Sequence, residues 1–140
     1  MSDALARVEA AYREVDRLSK MNIPYVFGGG HNSAFAPDPG FDCSSFVSHV
    51  FHHAGILGIP HVWFPMDTHA LANWGQPGPG QYMTMWVINT AQQEHCGLEF
   101  HIFNEHQFPN TFAQAEHPGT VVGWLTMDTK GFSARHWSGA

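Results

Sequence analysis

Cys43 is the residue of this chain whose setting best suits nucleophilic chemistry. It directly follows Asp42 and opens a segment in which Phe46, Val47, Val50, Phe51 and Ala54 recur at helical spacing, with Gly55 as the stop. A cysteine at a helix N-terminus lies among free backbone N–H groups at the positive end of the macrodipole, and both favour a thiolate. Asp42 fits the N-cap. Its charge would raise the thiol pKa, so its place beside Cys43 calls for a structural role. The other cysteine, Cys96, falls on a strand on the side of Leu98 and Phe100, opposite His95, where it reads as a small buried hydrophobe. Two cysteines are too few for a disulfide framework, so both are expected to be free thiols.

A thiol nucleophile needs a base, usually histidine, and a polar group to orient the imidazole. With 11 histidines in the chain, a histidine alone decides nothing. His95 stands out because it opens a strand directly after a polar turn, at a sheet edge where it can face a helix N-terminus packed on that sheet. The next strand puts Phe112 and Gln114 on one face, and the Gln114 amide oxygen could meet the second imidazole nitrogen. Glu116, His106, Gln107 and His136 compete for that orienting role. The histidines also raise metal binding as a different chemistry. His49 and His53 lie four apart on one helical face, and His52, His61 and His69 are close in sequence. No third ligand follows at a set spacing, so a solvated helix flank is the ordinary explanation and no metal is assigned.

The elements that must position these residues can be read in outline. Ser2 or Asp3 can cap a first helix whose Leu5, Val8, Tyr12, Val15 and Leu18 form one stripe, with Glu9, Arg13, Glu14, Asp16 and Arg17 mostly elsewhere. Asn22 and Pro24 end it. Gly28, Gly29 and Gly30 then allow a sharp turn or a close backbone approach, without the GK[ST] ending of a phosphate loop. Residues 31–41 read as a surface turn delivering Asp42 and Cys43 to their helix. From Gly55 to Gly80 the chain is rich in Pro and Gly, with Trp63, Phe64 and Trp74 set in it, aromatics that either line a groove or pin the loop to the core. Alternation predicts strands over 82–88 and 95–102, and two shorter ones over 111–115 and 120–125. A helical first half and a strand-rich second half predict an α+β fold with an antiparallel sheet.

The chain has 140 residues, 44% of them hydrophobic and 13% charged, the size and composition of one domain with a core, 1–140. Its net charge of −6, with no Lys or Arg run, argues against nucleic-acid and anionic-membrane surfaces. No apolar stretch approaches membrane-spanning length. The first residues read as a charged amphipathic helix, not a basic-then-apolar export signal.

The blocks Pro24-Tyr25-Val26-Phe27-Gly28-Gly29, Phe41-Asp42-Cys43-Ser44-Ser45-Phe46-Val47, His95-Cys96-Gly97-Leu98 and Thr111-Phe112-Ala113-Gln114-Ala115 resemble, in order, those of the NlpC-type cell-wall cysteine peptidases. The resemblance runs from Pro24 to about Trp124, and Gly131 to Trp137 is more faintly similar to bacteriophage and secreted relatives. It implies a papain-like fold, with N-terminal helices and the nucleophile helix packed on a small antiparallel sheet. It further implies Cys43 as nucleophile, His95 as base, Gln114 as orienting residue and the Cys43 N–H in an oxyanion site. Tyr25, Asp42 and Ser44 would flank the substrate near the thiol, and Trp63 in the aromatic loop is a further candidate contact. The sequence departs from the family pattern at Ser45, where glycine is usual, at Cys96, where valine is usual, and in the long interval from His95 to Gln114.

The implied activity is hydrolysis of an amide bond in the peptide of peptidoglycan, without a cofactor. Two alternatives are an N-acetylmuramoyl-L-alanine amidase of the same fold and a non-catalytic cell-wall or metal-binding module. A bacteriophage lysis (endolysin) or virion-associated protein is the favoured setting, with a secreted bacterial hydrolase open. A cell-wall-targeting module or virion component would supply proximity, because an acidic domain gains none by charge.

Overall fold

The computed structural model describes residues 3–56, 64–102 and 111–137; Ser2 and His61 lie outside them. Helix α1, Asp3–Ser19, buries Val8, Ala11, Tyr12, Val15 and Leu18 along the expected stripe. Its outer face carries the pairs Asp3–Arg7, Glu9–Arg13 and Asp16–Lys20 four residues apart, each worth a few tenths of a kcal/mol, roughly 0.3–0.5. Glu14 departs from expectation: it is 2% exposed, turned into the interface with the next helix.

Helix α2, Cys43–Ala54, has the bounds read from Asp42 and Gly55. The Asp42 carboxylate accepts from the Ser45 N–H at 2.9 Å, and the Ser45 hydroxyl accepts from the Asp42 N–H at 2.9 Å, a reciprocal capping box. Ser45 in place of glycine therefore serves the cap. Gly55 closes the helix at φ 74°, and the Arg7 guanidinium of α1 donates to its carbonyl.

A short helix α3, Thr68–Ala72, capped by Asp67, interrupts the breaker-rich stretch that sequence reads as loop. One turn carries too little periodicity to be seen. Trp74 after it stacks on Phe51 at 4.6 Å, so this aromatic pins the loop to the core. The strands are β1 Gln76–Pro77, β2 Met83–Asn89, β3 Glu94–Phe100, β4 Thr111–Gln114, β5 Gly123–Thr126 and β6 Ser133–His136. They form one antiparallel sheet in the order β1-β6-β2-β3-β4-β5. β1 and β6 were not expected, since Gln76-Pro77 and Ser133-Ala134-Arg135-His136 carry no apolar alternation. The strand expected over 120–125 is split at Gly123 (φ 153°). Residues before it pair instead with the first glycine block, through Tyr25 N–H to the Thr120 carbonyl and Val122 N–H to the Ile23 carbonyl.

Phe46, Val47, Val50 and Phe51 of α2 lie in one core with Met83, Met85 and Val87 of β2 and Cys96, Leu98 and Phe100 of β3, all within 2% of full burial. Tyr12 of α1 meets Phe100 edge-on at 5.4 Å. Helix α2 thus lies across the sheet centre, with its N-terminus toward the start of β3. Mixed helix and antiparallel sheet, packed this way, is the α+β papain-like architecture that sequence leads one to expect.

Candidate active site

Two backbone segments build the wall around Cys43. Val26 donates to the Phe41 carbonyl at 2.9 Å and Phe41 to the Pro24 carbonyl at 3.2 Å, a parallel bridge that sets Tyr25 beside Phe41. The approach is close enough to require glycine at Gly40, where a Cβ would stand 2.4 Å from the Pro24 carbonyl oxygen. Cys43 follows at the first helical position, 7% exposed and not disulfide-bonded, where backbone N–H groups lack intrahelical acceptors.

His95 stands at the mouth of β3, paired with Ile88 across the hairpin. Its Nε2 is 2.6 Å from the Gln114 amide oxygen. The Gln114 amide nitrogen donates to the Leu125 and Thr126 carbonyls at 3.0 and 3.1 Å, which fixes the oxygen toward the imidazole. Nε2 therefore carries the proton, and Nδ1 is the nitrogen left to exchange one. His95 and Cys43 share a hydrogen bond.

The thiol is held down to about 5. A hydrogen bond from Cys96 is the largest influence, burial opposes it, and His95 adds a hydrogen bond and a favourable charge; Asp42 pushes weakly upward, as expected. For His95, burial acts downward, but the hydrogen bonds to Cys43 and Gln114 and the nearby charges carry it upward. The two shifts together favour a thiolate–imidazolium pair.

Cys96 is buried on the side of Leu98 and Phe100, yet it is more than a filler: its S–H donates to Cys43 and its own pKa is pushed well up. Tyr25 also belongs to this group; burial, then the charges of Cys43 and Asp42, raise its pKa and keep the phenol protonated. The other expected residues divide. Asp42 is saturated by Ser45 N–H, the Ser44 hydroxyl at 3.1 Å and His31 Nε2 at 2.9 and 3.0 Å. Ser44, 4% exposed, gives its hydroxyl to this cap, which leaves its side chain a structural task. Glu116 adds negative charge near His95. His136 sits on β6, bonded to the Gly78 carbonyl. Trp63, His106 and Gln107 lie outside the described residues.

Sequence reading missed Thr68, whose hydroxyl is 3.9 Å from the Cys43 sulfur, and His31, the partner of Asp42. The Asp67-Thr68 pair did carry an N-cap signature, the one clue available. It also missed Phe132, edge-on to His95 at 6.2 Å. Cys43 opens onto a cleft of about 250 Å³ shared with Tyr25, Phe27, His31, Thr68 and Glu94, and Phe27 stands 86% exposed at its rim. His95 and Gln114 line a wider groove of about 950 Å³, and Glu94 borders both. Among the described residues one group could hold a metal, Glu14, His49 and His53, away from both clefts.

Comparison with known proteins agrees with this architecture. No protein-family model matches the chain. Probable endopeptidases of Mycobacterium tuberculosis and Mycobacterium bovis are 33% identical over 102 residues, 69% of this chain. The chain matches only 21% of their length. Among solved structures, the peptidoglycan hydrolase RipB of Mycobacterium tuberculosis superposes with a TM-score of 0.68 at 20% identity, covering 96% of this chain and 66% of that one. The resuscitation-promoting-factor-interacting protein RipA gives 0.64 at 20% identity over 93% and 63%. A lipoprotein-like NLP/P60 family protein of Staphylococcus aureus gives 0.60 at 20% identity over 94% and 41%. The fold is that of the NlpC/P60 papain-like domains, and the resemblance of the sequence blocks to NlpC-type peptidases holds.

Proposed function

We infer that this NlpC/P60-fold domain is a cysteine hydrolase that cuts an amide bond in the peptide part of peptidoglycan, with Cys43 as nucleophile, His95 as acid and base, and Gln114 holding the imidazole. The observation that carries the reading is the relay from Gln114 through His95 to a thiol held at about 5 on a helix N-terminus. The endopeptidase and peptidoglycan-hydrolase names of the relatives support the substrate class.

In the proposed reaction the Cys43 thiolate attacks the amide carbonyl carbon. Negative charge gathers on the oxygen, within reach of the Cys43 backbone N–H at the start of α2. The imidazolium of His95 gives its proton to the amine as the C–N bond breaks, leaving a thioester on Cys43. Neutral His95 then takes a proton from water, whose oxygen attacks the thioester. The C–S bond breaks, and acid product, thiolate and imidazolium are restored. Side chains and water suffice for this cycle. Gln114 keeps the ring in the required tautomer throughout.

Residues 1–140 are read as a single catalytic domain acting at the bacterial cell wall, within a phage lysis or virion protein or a secreted hydrolase. Wall targeting is assigned to a separate module because an acidic domain gains no proximity to an anionic wall by charge. Purified muropeptides digested with the protein and analysed by mass spectrometry test the whole reading. Cleavage within the stem peptide or cross-bridge is expected, and a folded Cys43→Ala variant should lose it entirely. Separation of intact stem peptide from muramic acid would move the activity to an amidase, and full activity in Cys43→Ala would end the thiol mechanism.

A further inference from the structure

We propose that Glu14, His49 and His53 form a binding site for one divalent transition-metal ion of the zinc type, joining α1 to α2. The two histidines are the pair whose spacing suits a metal but whose third ligand has no sequence signal. The fold supplies it from 35 residues upstream: the three side chains offer donor atoms all within 4.8 Å of one another. A tetrahedral zinc site with bonds of about 2.0–2.1 Å holds its donors roughly 3.3 Å apart, so small side-chain rotations would close this cluster.

The hydrogen-bond pattern of His49 points the same way. Its Nδ1 lies 2.5 Å from the Phe35 carbonyl, which can only accept, so Nδ1 carries a proton. In the neutral ring Nε2 is then a bare lone pair, and it faces the Glu14 carboxylate at 2.5 Å. At that distance a shared proton joins the two atoms; a metal in its place would hold them about 3.3 Å apart, so an entering ion must part them by roughly 0.8 Å. A ligating imidazole whose other N–H is anchored on a backbone carbonyl is the arrangement metal sites use to fix ring and tautomer. The Phe35 ring in turn stacks on His52 at 3.9 Å, holding the carbonyl's segment against α2.

The Glu14 side chain is 1% exposed and meets the Arg17 guanidinium through both oxygens, the pairing of an ionised carboxylate. His53 Nε2 stands 3.6 Å from Glu14 Oε1 with the side chain about half exposed, which leaves a path for the ion and a position for water. Two imidazoles, one carboxylate and an open position suit zinc and its neighbours over calcium or magnesium. The competitor is Arg17, whose guanidinium forks both Glu14 oxygens at 2.7 Å. Its side chain is 55% exposed, so an entering ion can displace it into solvent.

The consequence is mechanical. Glu14 belongs to α1, the histidines to α2, and the Phe35 carbonyl to the turn that leads into Asp42 and Cys43. One ion would fasten three segments of the chain, outside the residues of the proposed reaction.

Zinc and cobalt titrations of the intact protein, followed by calorimetry, the visible spectrum of cobalt and thermal unfolding, test this. They are run in a Cys43→Ala background, so that the reactive thiol cannot be the ligand. One equivalent is expected, with a tetrahedral cobalt spectrum and a rise in Tm that saturates at one ion. Glu14 is too buried for its variant to be a safe test, so His53→Ala, half exposed, is the informative change. It should weaken binding tenfold or more, whereas Arg17→Ala should tighten it. Loss of binding in Cys43→Ala, or undiminished binding in His53→Ala, would overturn the site and leave two histidines hydrogen-bonded around a buried carboxylate.

Discussion

At the scale of single residues, the proposed chemistry turns on how far the Cys43 proton can be removed without the His95 ring losing its own. The thiol sits at about 5 and the imidazole above its ordinary 6.5, so between them the pair is thiolate and imidazolium. Below the lower value sulfur is protonated and cannot attack; above the upper value the leaving amine lacks its acid. A bell-shaped profile of kcat/KM follows, with the acid limb near pH 5 and the basic limb above 6.5, both belonging to the coupled pair. Iodoacetamide alkylation of Cys43 should titrate on the same acid limb, and a midpoint near 8 to 9, about that of an unperturbed thiol, would refute the ion pair. Cys96 gives a second handle. Its S–H is the largest influence holding Cys43 down, so Cys96→Val should move the alkylation midpoint upward. The swap keeps an apolar side chain at a fully buried position, so its stability cost in a urea melt should stay within about 1.5 kcal/mol. An unmoved midpoint would leave the acidity to His95 and the helix.

At the scale of elements, the start of α2 serves two opposed demands. Asp42 caps the helix, receives the Ser44 hydroxyl and binds His31, yet its charge lies beside a thiol that must ionise. Asp42→Ala should therefore destabilise the protein by roughly 1 kcal/mol, within the 0.5–2 range for lost N-caps, and lower the Cys43 pKa. Urea unfolding reads the first change and alkylation against pH the second; both moving downward is the expected outcome, and a thiol midpoint moving upward would contradict it. This element was also the most legible in the sequence. Cap, apolar spacing and stop all lie within the 14 residues from Asp42 to Gly55, and local signals suffice for a helix held by local bonds. Strand β6 was illegible for the converse reason: it is a strand because β2 and β1 flank it, and nothing in Ser133-Ala134-Arg135-His136 announces those neighbours.

At the scale of the whole molecule, the same division explains the candidate site. The His95 and Gln114 pairing was readable because both sit at strand ends with alternating neighbours, so face and register could be inferred. The approach of Cys96 and Thr68 to the thiol, and of Glu14 to His49, arises from packing between elements far apart in the chain, and no spacing rule encodes it. Net charge, by contrast, needs no fold to interpret. At −6 the domain is repelled by an anionic wall, and the repulsion reaches about 30 Å at 0.01 M salt but about 8 Å at 0.15 M. Hydrolysis of intact cell walls should therefore speed up several-fold between those two salt concentrations, because encounter with the polymer is what salt relieves. Small soluble muropeptides present little of that extended field, and their turnover should change far less over the same range. Turbidity loss of purified walls and chromatographic release from muropeptides measure the two rates side by side. A wall rate that falls with added salt would mean that charge attraction, not repulsion, governs docking.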